Sequence, residues 1–512
     1  MSGLGSLTSS GLVRELGEYL WQNGKIKTHP DWIESLACAL VSTMIGRDRH
    51  MVNLYGELCA NIFVIDIGAS AVSFKTVPNK VVRMIIREVT RRLNNEMCLK
   101  GGMTYEQFKQ ALKDSDLEKT SAKGAGNRLS KAWKDMREKL ERIQAKFVDL
   151  EGPSKFTSEG LGLFLMHQPQ CIIVGDEYSK MFKGAARKDF LVDNMEDMSR
   201  LYDCEADKYV TASRGVEYPE DAYVSFVSAT TYYLLNFMDD DFFIQGTGTR
   251  ILWVFDDLDN RNVVDVEKEM MKLEFFWGVK EEEEDKRVFS ELVGKLMAIR
   301  YLPEDMVISL DFYGSSELDR YRLEMYNSAI SKIKEDLFNK DANLIGRLAQ
   351  NAMKLAMVHC VGRYALEAYE EGPGYVPEGG KVVINVEDAK WAIAKMNRHL
   401  GHYRRMYEVA PNVRKGVVRD YRNDQEKLLY ILDKLMNERR EKPTFSRLCK
   451  WTRWKPGDLR DVLDSMVVSG QLRSVTEVVM GRDVVWYERV DEEGVVGVDR
   501  FSGQIEKPKV GS

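Results

Sequence analysis

The stretch from Asn61 to Lys80, NIFVIDIGASAVSFKTVPNK, constrains the fold of this chain more than any other. Residues 62–67 form an apolar and β-branched run broken only by Asp66, and such a run is typical of a strand buried in a parallel sheet. Small residues follow the run, and a helix-like pattern begins at Val77. The stretch therefore predicts a strand, a tight loop and a helix in direct succession.

The loop between this strand and this helix has the composition of a phosphate-binding loop. Small side chains let backbone N–H groups converge on phosphate oxygens, and the positive end of the helix dipole lies beneath the anion. We expect Lys75 to reach the β- and γ-phosphates of a nucleotide and Thr76 to ligate Mg2+. The other candidates for phosphate contact are Gly68, Ser70 and Ser73. Compared with the pattern G-x-x-x-x-G-K-[ST], Phe74 replaces the second glycine and Ala69 the first. An ordinary buried strand with a polar turn is the alternative interpretation.

A second element with matching chemistry lies in the segment 170–182, QCIIVGDEYSKMF. Residues 171–174 predict a short strand, and ligands gather at the carboxyl ends of strands in open α/β sheets. We expect Asp176 to hold Mg2+ through its water shell and Glu177 to polarise the attacking water. An acidic pair after an apolar run also occurs in solvated loops, but the ordered combination of the two elements favours the nucleotide site.

Two further strands carry candidates for the same site. The run YVSFVSATT, 223–231, ends in hydroxyl residues, and we expect Thr230 to contact the γ-phosphate or the lytic water as a sensor. In FFIQGTGTRILWVF, 242–255, a Gly-Thr turn presents Arg250 before another apolar strand. An arginine there is placed to reach a neighbouring subunit's site and to stabilise the charge of phosphoryl transfer. The alternatives are plain β-propensity for Thr230 and a structural ion pair for Arg250.

A hairpin is predicted before the sensor strand. Its two strands are 208–213 and 222–228, joined through Arg214 and the glycine after it. In ring-shaped motors such a hairpin places cations in the central channel, where they follow the phosphodiester backbone. Lys208 and Arg214 suit that role, and an ordinary hairpin with two solvated cations is the alternative.

Composition limits the classes of protein that fit. The hydrophobic fraction of 44% and the charged fraction of 30% are typical of a globular chain. No run reaches the ~18 apolar residues of a membrane span, and the N-terminus lacks the pattern of a signal peptide, so we expect a cytoplasmic protein without membrane partners. The seven cysteines lack the spacing of a zinc site or a disulfide framework. Because the net charge is −6, nucleic-acid binding has to depend on local basic surfaces.

The order of these motifs resembles a known family. The strand, the small-residue loop with Lys-Thr, the Asp-Glu strand, the hydroxyl strand end and the Gly-x-Arg before a strand are similar to helicase-type P-loop ATPases. Plasmids, viruses and integrated elements encode these ATPases together with primases. The group includes the domain-of-unknown-function helicases and is similar in outline to superfamily 3 and MCM-type AAA+ motors. The resemblance covers about residues 30 to 365.

The resemblance implies an α/β fold with a P-loop NTPase core, either AAA+ or RecA-like, and ATP and Mg2+ as cofactors. It also implies a hexameric ring that moves on single-stranded DNA, with a primase or a replication initiator as partner. In this family a basic residue on the helix after the motor core acts as a second sensor, and Arg347 in the segment 346–360 matches that position. The apolar spacing of the same segment is also typical of a core helix. The family has a glycine directly before the Lys-[ST] pair, whereas this chain has Phe74 there. ATP hydrolysis by this chain depends on whether the loop functions with that residue.

The C-terminal part has the pattern of a separate module. Three helices are predicted, over 425–438, 444–451 and 456–469, followed by two β-rich runs in 471–489. This order resembles a winged helix, whose third helix enters the major groove of DNA. The candidates for DNA contact are Arg453, Lys455 and Arg460 near that helix and Arg482 on the wing. Docking of another protein is the alternative.

The predicted organisation has five parts. These are a helical N-terminal region (1–50), the ATPase core (51–280), a helical subdomain (281–410), the winged helix (423–491) and a disordered tail (492–512). Residues 51–59 and 285–408 are expected to be helical, and 398–422 to be a basic linker. We therefore expect an ATP-dependent DNA helicase or translocase, the replicative helicase of a mobile genetic element, that hydrolyses ATP at subunit interfaces. The alternative is a non-hydrolysing, DNA-binding oligomeric scaffold with a degenerate nucleotide fold.

Overall fold

In the computed structural model of the chain, the described residues are 7–23, 29–53, 56–68, 76–114, 131–154, 156, 158–176, 197–205, 207–210, 215–219, 222–236, 247–256, 282–303, 306–335, 340–433, 435–436, 442–452, 459–460, 463, 466–467, 472–479 and 482–489. The chain divides into two compact units, Met1–Glu408 and Val409–Ser512. The first unit is of the α/β class, and the second combines helices with a β-hairpin.

The helices are α1 (Gly11–Asn23), α2 (Pro30–Ile45), α3 (Thr76–Lys100), α4 (Lys131–Gln144), α5 (Ser158–His167), α6 (Glu282–Ala298), α7 (Phe312–Glu335), α8 (Lys340–Glu371), α9 (Val386–Asp433) and α10 (Phe445–Thr452). Residues 105–114 and 197–203 are also helical. Within the described residues, every helix is too short or too polar to serve as a membrane span. The strands are β1 (His50–Asn53), β2 (Gly56–Cys59), β3 (Phe63–Ile67), β4 (Glu151–Gly152), β5 (Gln170–Gly175), β6 (Asp207–Val210), β7 (Gly215–Tyr218), β8 (Tyr223–Thr230), β9 (Ile251–Phe255), β10 (Ile308–Leu310), β11 (Val382–Ile384), β12 (Leu472–Val479) and β13 (Arg482–Arg489).

The first unit is built on a parallel sheet of five strands in the order β4, β5, β8, β3, β9. Every residue of β3, β8 and β9 is buried. Strands that are covered on both faces are continuous apolar runs in the sequence, which is why these runs were recognisable. The predicted α/β class is confirmed, and the runs beginning at residues 62, 171 and 223 supply three neighbouring strands of the sheet.

Helix α2 covers one face of this sheet. Residues 31–45 are all buried, as expected of a helix that is surrounded by protein. The helix packs on β3, β5 and β8 and also on α8. Ser42 donates a hydrogen bond to the carbonyl of Ala60 at 2.9 Å, and its Oγ lies 2.7 Å from Oγ of Ser225 on β8. These contacts fix α2 directly against the strands that lead to the candidate site.

The segment 51–59, which we expected to be helical, contains strand residues instead. Strand β1 pairs antiparallel with β2, and Asn53 is in register with Gly56. Gly56 has a φ of 116°, which glycine adopts readily and which the interior of a helix does not use. The backbone required at this glycine therefore overrides the apolar spacing that suggested a helix.

The predicted hairpin before the sensor strand has a different second strand. Strand β6 pairs antiparallel with β7, and Lys208 faces Glu217 in the register. Residues 222–228, which we expected to be the partner, belong to β8 in the middle of the parallel sheet. The prediction was wrong because β8 is buried on both faces, and such a run is stable where sheet neighbours and helices cover it.

One expectation for the end of the first unit is also wrong. The segment 285–408 is not wholly helical, because the β-branched residues of β10 and β11 form a short parallel pair in which Ile308 faces Val382.

The expected basic linker, residues 398–422, contains the boundary between the two units. This segment is helical and lies within α9. In its first part, buried residues recur at helical spacing, as in a packed helix. These residues are His399, Tyr403 and Met406.

The second unit has helices and a hairpin around a small core. Helix α10 is followed by helical residues at 459–460, 463 and 466–467, and β12 pairs antiparallel with β13. Tyr487 on β13 donates its N–H to the carbonyl of Pro443 at 3.1 Å, which joins the hairpin to the start of α10. The core residues are Leu428, Ile431, Leu432, Leu435, Leu448, Leu459, Leu463, Met466 and Leu472. Helices and hairpin follow the predicted order, and the winged helix itself stays a prediction.

Candidate functional site

The carboxyl edge of the parallel sheet brings together three of the predicted site residues. Gly68 follows β3, Asp176 follows β5, and Thr230 ends β8. Strand β8 lies between the other two strands, and Ile67 is in register with Thr230. The amide N–H of Gly68 donates to the carbonyl of Thr230 at 3.1 Å. Three positions that are distant in sequence therefore lie along one edge of the sheet.

The path of the chain identifies this edge as a ligand-binding position. The connection after β3 leads to β4 at one side of the sheet, whereas the connection after β8 passes β3 and leads to β9 at the other side. The direction of winding therefore changes beside β3. In open α/β sheets, ligands bind outside the carboxyl ends of the strands at such a switch point.

Helix α3 begins at Thr76. The first N–H groups of a helix have no partner inside it, and the helix dipole is positive there. In this first turn Asn79 is fully buried, and its Nδ2 donates to the carbonyl of Gly175 at 3.0 Å. Its Oδ1 has no hydrogen-bond partner in the described part of the chain. Sequence reasoning missed Asn79, and its position one helical turn after Lys75 is the signal that could have found it.

Asp176 is paired with a cation that was not predicted. Nη1 of Arg83 on α3 lies 3.1 and 2.9 Å from the two carboxylate oxygens of Asp176, and Nη2 donates to the carbonyl of Val174 at 2.6 Å. Glu151 lies 3.6 Å from Nε of the same arginine. The side chain of Asp176 is 51% exposed, so water screens the pair. A hydrated Mg2+ at this position would share the carboxylate with Arg83.

The two predicted arginines meet at a carboxylate that sequence reasoning also missed. Nε and Nη2 of Arg250 donate to Oδ2 of Asp203 at 3.0 and 2.6 Å. Nη1 of Arg347 lies 3.6 Å from the other carboxylate oxygen of Asp203. The structural ion pair that we gave as the alternative for Arg250 is therefore present within the chain. The role of Arg250 across a subunit interface stays a prediction.

A buried lysine supports the segment that carries Asp203. Nζ of Lys354 on α8 donates to Oδ1 of Asn61 at 2.7 Å and to the carbonyl of Tyr202 at 2.8 Å. It also lies 3.5 Å from the centre of the Tyr202 ring. Asn61 in turn donates to the carbonyl of Leu201 at 3.0 Å. Burial lowers the pKa of Lys354 to about 8. Lys354 therefore joins α8 and the start of β3 to the residues that precede Asp203.

A Ser-His-Asp arrangement in the same unit fastens helices together. Nδ1 of His359 lies 2.7 Å from Oδ1 of Asp388, and Nε2 lies 3.0 Å from Oγ and 3.1 Å from the amide nitrogen of Ser10. Because an amide N–H can only donate, Nε2 accepts and Nδ1 carries the proton. The lone pair of Nε2 thus holds the start of α1, and Asp388 accepts the N–H of Asn385 at the start of α9. This arrangement contributes to packing and not to the site at the sheet edge.

Several predicted site residues lie outside the described residues. These are Ser70, Ser73, Lys75, Glu177, Arg214, Arg453 and Lys455. Lys208 and Arg482 are placed only as positions in β6 and β13. Arg460 is exposed, and its guanidinium lies 5.4 Å from the centre of the Phe445 ring. The structure therefore brings Gly68, Asp176 and Thr230 together at the sheet edge, and the candidates outside the described residues stay predictions.

Fold and site define a class of protein, an α/β protein with a polar carboxyl edge on a parallel sheet. No protein-family model matches the chain, and no curated protein matches it. The edge offers backbone N–H groups at the start of α3, the Thr76 hydroxyl and the Asp176 carboxylate. These are the chemical groups that hold a phosphate and a hydrated divalent cation.

Proposed function

We propose that the chain is an ATP-dependent DNA helicase or translocase, the replicative helicase of a mobile genetic element, and that it works as a hexameric ring. The observation that carries the proposal is the sheet edge, where Gly68, Asp176 and Thr230 follow or end three neighbouring parallel strands and α3 begins at Thr76. Nucleotides bind at such an edge in open α/β sheets. The proposed core is a P-loop NTPase of the AAA+ or RecA-like kind.

The groups at this edge suit ATP and Mg2+. The start of α3 presents N–H donors that phosphate oxygens accept readily. Mg2+ prefers one or two carboxylates together with phosphate oxygens and water, and the half-exposed Asp176 with the Thr76 hydroxyl is such a donor set. When bound, ATP supplies the γ-phosphoryl group, and Mg2+ neutralises the charge that develops on it.

Each candidate then has a role in the proposed site. Lys75 neutralises the β- and γ-phosphates, and Glu177 polarises the attacking water. Thr230 contacts the γ-phosphate or that water from the end of β8. Arg347 senses the nucleotide from α8. Backbone groups of the loop contact the phosphates at Gly68, Ser70 and Ser73, and the metal is held at Thr76 and Asp176.

The contacts of Asp203 define what Arg250 does in this proposal. In the free chain Asp203 holds Arg250 and Arg347 together. A nucleotide in the neighbouring subunit offers Arg250 a second anion, and Arg250 exchanges the carboxylate for a phosphate oxygen. Because both are charge-assisted pairs, the exchange replaces one strong interaction with another.

DNA contact is assigned to two regions. Lys208, on β6, and Arg214 are proposed to follow single-stranded DNA through its phosphate charge. The second unit contacts duplex DNA through Arg453, Lys455, Arg460 and Arg482. Its helices and hairpin around a leucine-rich core support the winged-helix interpretation. We further propose that the motor acts in the cytoplasm with a primase or a replication initiator.

ATP hydrolysis in the presence of Mg2+, with and without single-stranded DNA, tests the proposal. We expect DNA-stimulated turnover by the native protein and a loss of about 100-fold or more in Lys75→Ala, because the lysine stabilises the charge of the transition state. Lys80→Ala is the matched control, since Lys80 is exposed on α3 five residues further on, and its turnover should equal that of the native protein. A native protein that neither hydrolyses nor binds ATP would exclude the motor.

A second candidate is the non-hydrolysing scaffold. Phe74 stands where the loop pattern has glycine, and Arg83 already occupies the carboxylate of Asp176. Both observations favour a nucleotide fold that no longer binds nucleotide. Self-association and DNA binding that are insensitive to ATP would support this candidate, whereas ATP-dependent assembly would exclude it.

A further inference from the structure

A cluster of two histidines and one aspartate joins the start of α2 to α9. His29 precedes α2, Asp31 lies in the first turn of that helix, and His402 lies on α9. Nε2 of His402 is 3.0 Å from Oδ2 of Asp31, and Nδ1 of His29 is 3.9 Å from the same oxygen. The two imidazole rings meet edge-on with their centres 4.6 Å apart. The three donor atoms all lie within 4.8 Å of one another.

The ligand chemistry of the cluster is that of zinc. Two imidazoles and one carboxylate occur in open zinc sites, in which water takes the fourth position. Bonds of ~2.0–2.2 Å place tetrahedral ligands roughly 3.3 Å apart, so the donors of this cluster need to approach by about 1.5 Å at most. The side chain of His29 is 30% exposed, which gives an ion and its water a path to the cluster.

The surroundings of Asp31 turn one of its oxygens toward the imidazoles. Nε of Arg398 donates to Oδ1 at 2.7 Å, and Oδ2 is the oxygen beside His402. Outer partners of this kind orient metal ligands and raise the affinity of a site. Arg398 also lies 2.8 Å from Glu34, and Lys395 lies 3.0 Å from Glu34. Two carboxylates thus balance two cations, so no excess positive charge opposes the entry of an ion.

The nearby His399 is engaged elsewhere and does not compete for an ion. Its Nδ1 lies 2.9 Å from the carbonyl of Trp253, and its Nε2 lies 3.5 Å from Oγ of Ser35.

We propose that His29, Asp31 and His402 bind a divalent transition-metal ion of the zinc class, with water as the fourth ligand. The site is separate from the sheet edge and does not depend on the proposed ATPase. Nδ1 of His29 accepts the N–H of Asp31 at 3.2 Å and so caps α2. If Nδ1 of His29 binds the ion, it no longer accepts this N–H, and the helix cap is replaced by a metal bond. The bound ion then links the start of α2 to His402 on α9.

A Co2+ titration of the full-length protein, without a histidine tag and stripped with a chelator, tests the site. We expect one equivalent of Co2+ to bind with the visible absorption of a tetrahedral ion, and Zn2+ to displace it. His402→Ala and His29→Asn should each weaken Co2+ binding by about 10-fold or more, the least that changes around metal ligands typically cause. His29→Asn keeps a residue that is favoured at a helix N-cap, so the start of α2 is preserved.

His50→Ala is the matched control, because the imidazole of His50 lies 3.7 Å from the carboxylate of Glu57 and outside the cluster. Its affinity for Co2+ should equal that of the native protein. Circular dichroism of the metal-free variants shows that a loss of binding is not a loss of fold. A native protein without stoichiometric Co2+ binding would overturn the site. Binding that both His402→Ala and His29→Asn leave unchanged would overturn it as well.

Discussion

The two buried lysines Lys354 and Lys395 are stabilised in different ways. Nζ of Lys395 on α9 faces a carboxylate, Oε2 of Glu34, at 3.0 Å. Within the described residues, the hydrogen-bond partners of Lys354 Nζ on α8 are neutral: the amide oxygen of Asn61 and the carbonyl of Tyr202. Nζ also lies 3.5 Å from the centre of the Tyr202 ring, and the charge of Asp203 acts on it without a direct pair. A carboxylate balances a buried charge with an opposite charge, whereas neutral acceptors balance it only with dipoles.

This difference separates a junction that holds the fold from one that supports the two arginines proposed to contact nucleotide. Around Lys395, the acidic residues Asp31 and Glu34 match Lys395 and Arg398 in charge, which fixes α2 against α9. Lys354 donates to the carbonyl of Tyr202, next in sequence to Asp203, which binds the two arginines proposed to contact nucleotide. Burial lowers the pKa of Lys354 to about 8. Perturbed titratable groups concentrate at functional sites. The closed charge balance is therefore at the helix junction, and the open one is at the amino ends of β3 and β9, where Asn61 and Arg250 precede the strands.

The largest expected effect on stability comes from Lys395→Met, which breaks the charge balance between α2 and α9. Lys395→Met leaves Glu34, which is 2% exposed, without one of its two cations. Removing one partner of a buried pair typically costs ~3–5 kcal/mol, so we expect the free energy of unfolding to fall by about that amount. Urea unfolding followed by tryptophan fluorescence measures it. Lys390→Met is the control, because Lys390 is exposed on the same helix and its pair with Glu387 is worth at most ~1 kcal/mol. Equal losses in the two variants would contradict the comparison.

The second prediction concerns the pH dependence that Lys354 causes. Its pKa is about 8 in the folded state and ~10.4 in an unfolded chain. Between these values the unfolded state binds more protons, so the free energy of unfolding rises with pH, by at most ~1.4 kcal/mol per pH unit. Below pH 8 both states carry the proton, and the folded state bears the full cost of burying the charge.

Comparison with Lys354→Met isolates this contribution from the other titrating groups. The stability of the native protein relative to Lys354→Met should rise between pH 8 and pH 10 and be constant below pH 8. Lys80→Met is the control, because Lys80 is exposed on α3 and its relative stability should not vary over this range. A difference between native protein and Lys354→Met that does not change with pH would show that Lys354 has the same pKa in the folded and unfolded states, as a lysine exposed to water has.

Burial on both faces made the main strands of the sheet predictable. The apolar runs of β3 and β8 leave a local trace in the sequence, because every residue in them is covered. Strand β4 leaves none, since Glu151 and Gly152 become a strand only by pairing with Ile172 and Ile173. The pairing of β1 with β2 depends on the backbone of one glycine, Gly56, which apolar spacing does not reveal.

The site was predictable to the extent that its residues follow strands. Gly68, Asp176 and Thr230 could be placed together because parallel strands end at one edge. Asp203 could not be found in this way, because its partners Arg250 and Arg347 come from distant parts of the chain. Nothing in the local pattern distinguishes an aspartate that binds two arginines from a solvated one. Tertiary contacts of single charged residues therefore account for most of what sequence reasoning missed.

The smallest expected effect on stability is at the pair of Arg83 and Asp176, in which the carboxylate is half exposed and the arginine is 15% exposed. Because water screens this pair, Arg83→Ala should lower the free energy of unfolding by no more than ~1 kcal/mol. The matched control is Arg91→Ala on the same helix, whose arginine pairs with Glu88. Urea unfolding compares the two variants. A decrease of more than ~3 kcal/mol in the free energy of unfolding of Arg83→Ala would show that this pair behaves as a buried ion pair.

Arg83→Ala also tests whether the pair of Arg83 and Asp176 controls the affinity for Mg2+. Without Arg83, the carboxylate of Asp176 has one competing cation fewer, so the Mg2+ concentration needed for half-maximal ATP binding should decrease. In Arg91→Ala it should not change, since Arg91 is paired with Glu88 and not with Asp176. A pair that contributes little to stability and yet controls cation affinity is what a site requires, because its charges have to exchange partners when the ligand arrives. An unchanged Mg2+ requirement in Arg83→Ala would mean that Asp176 is not a ligand of the metal's water shell.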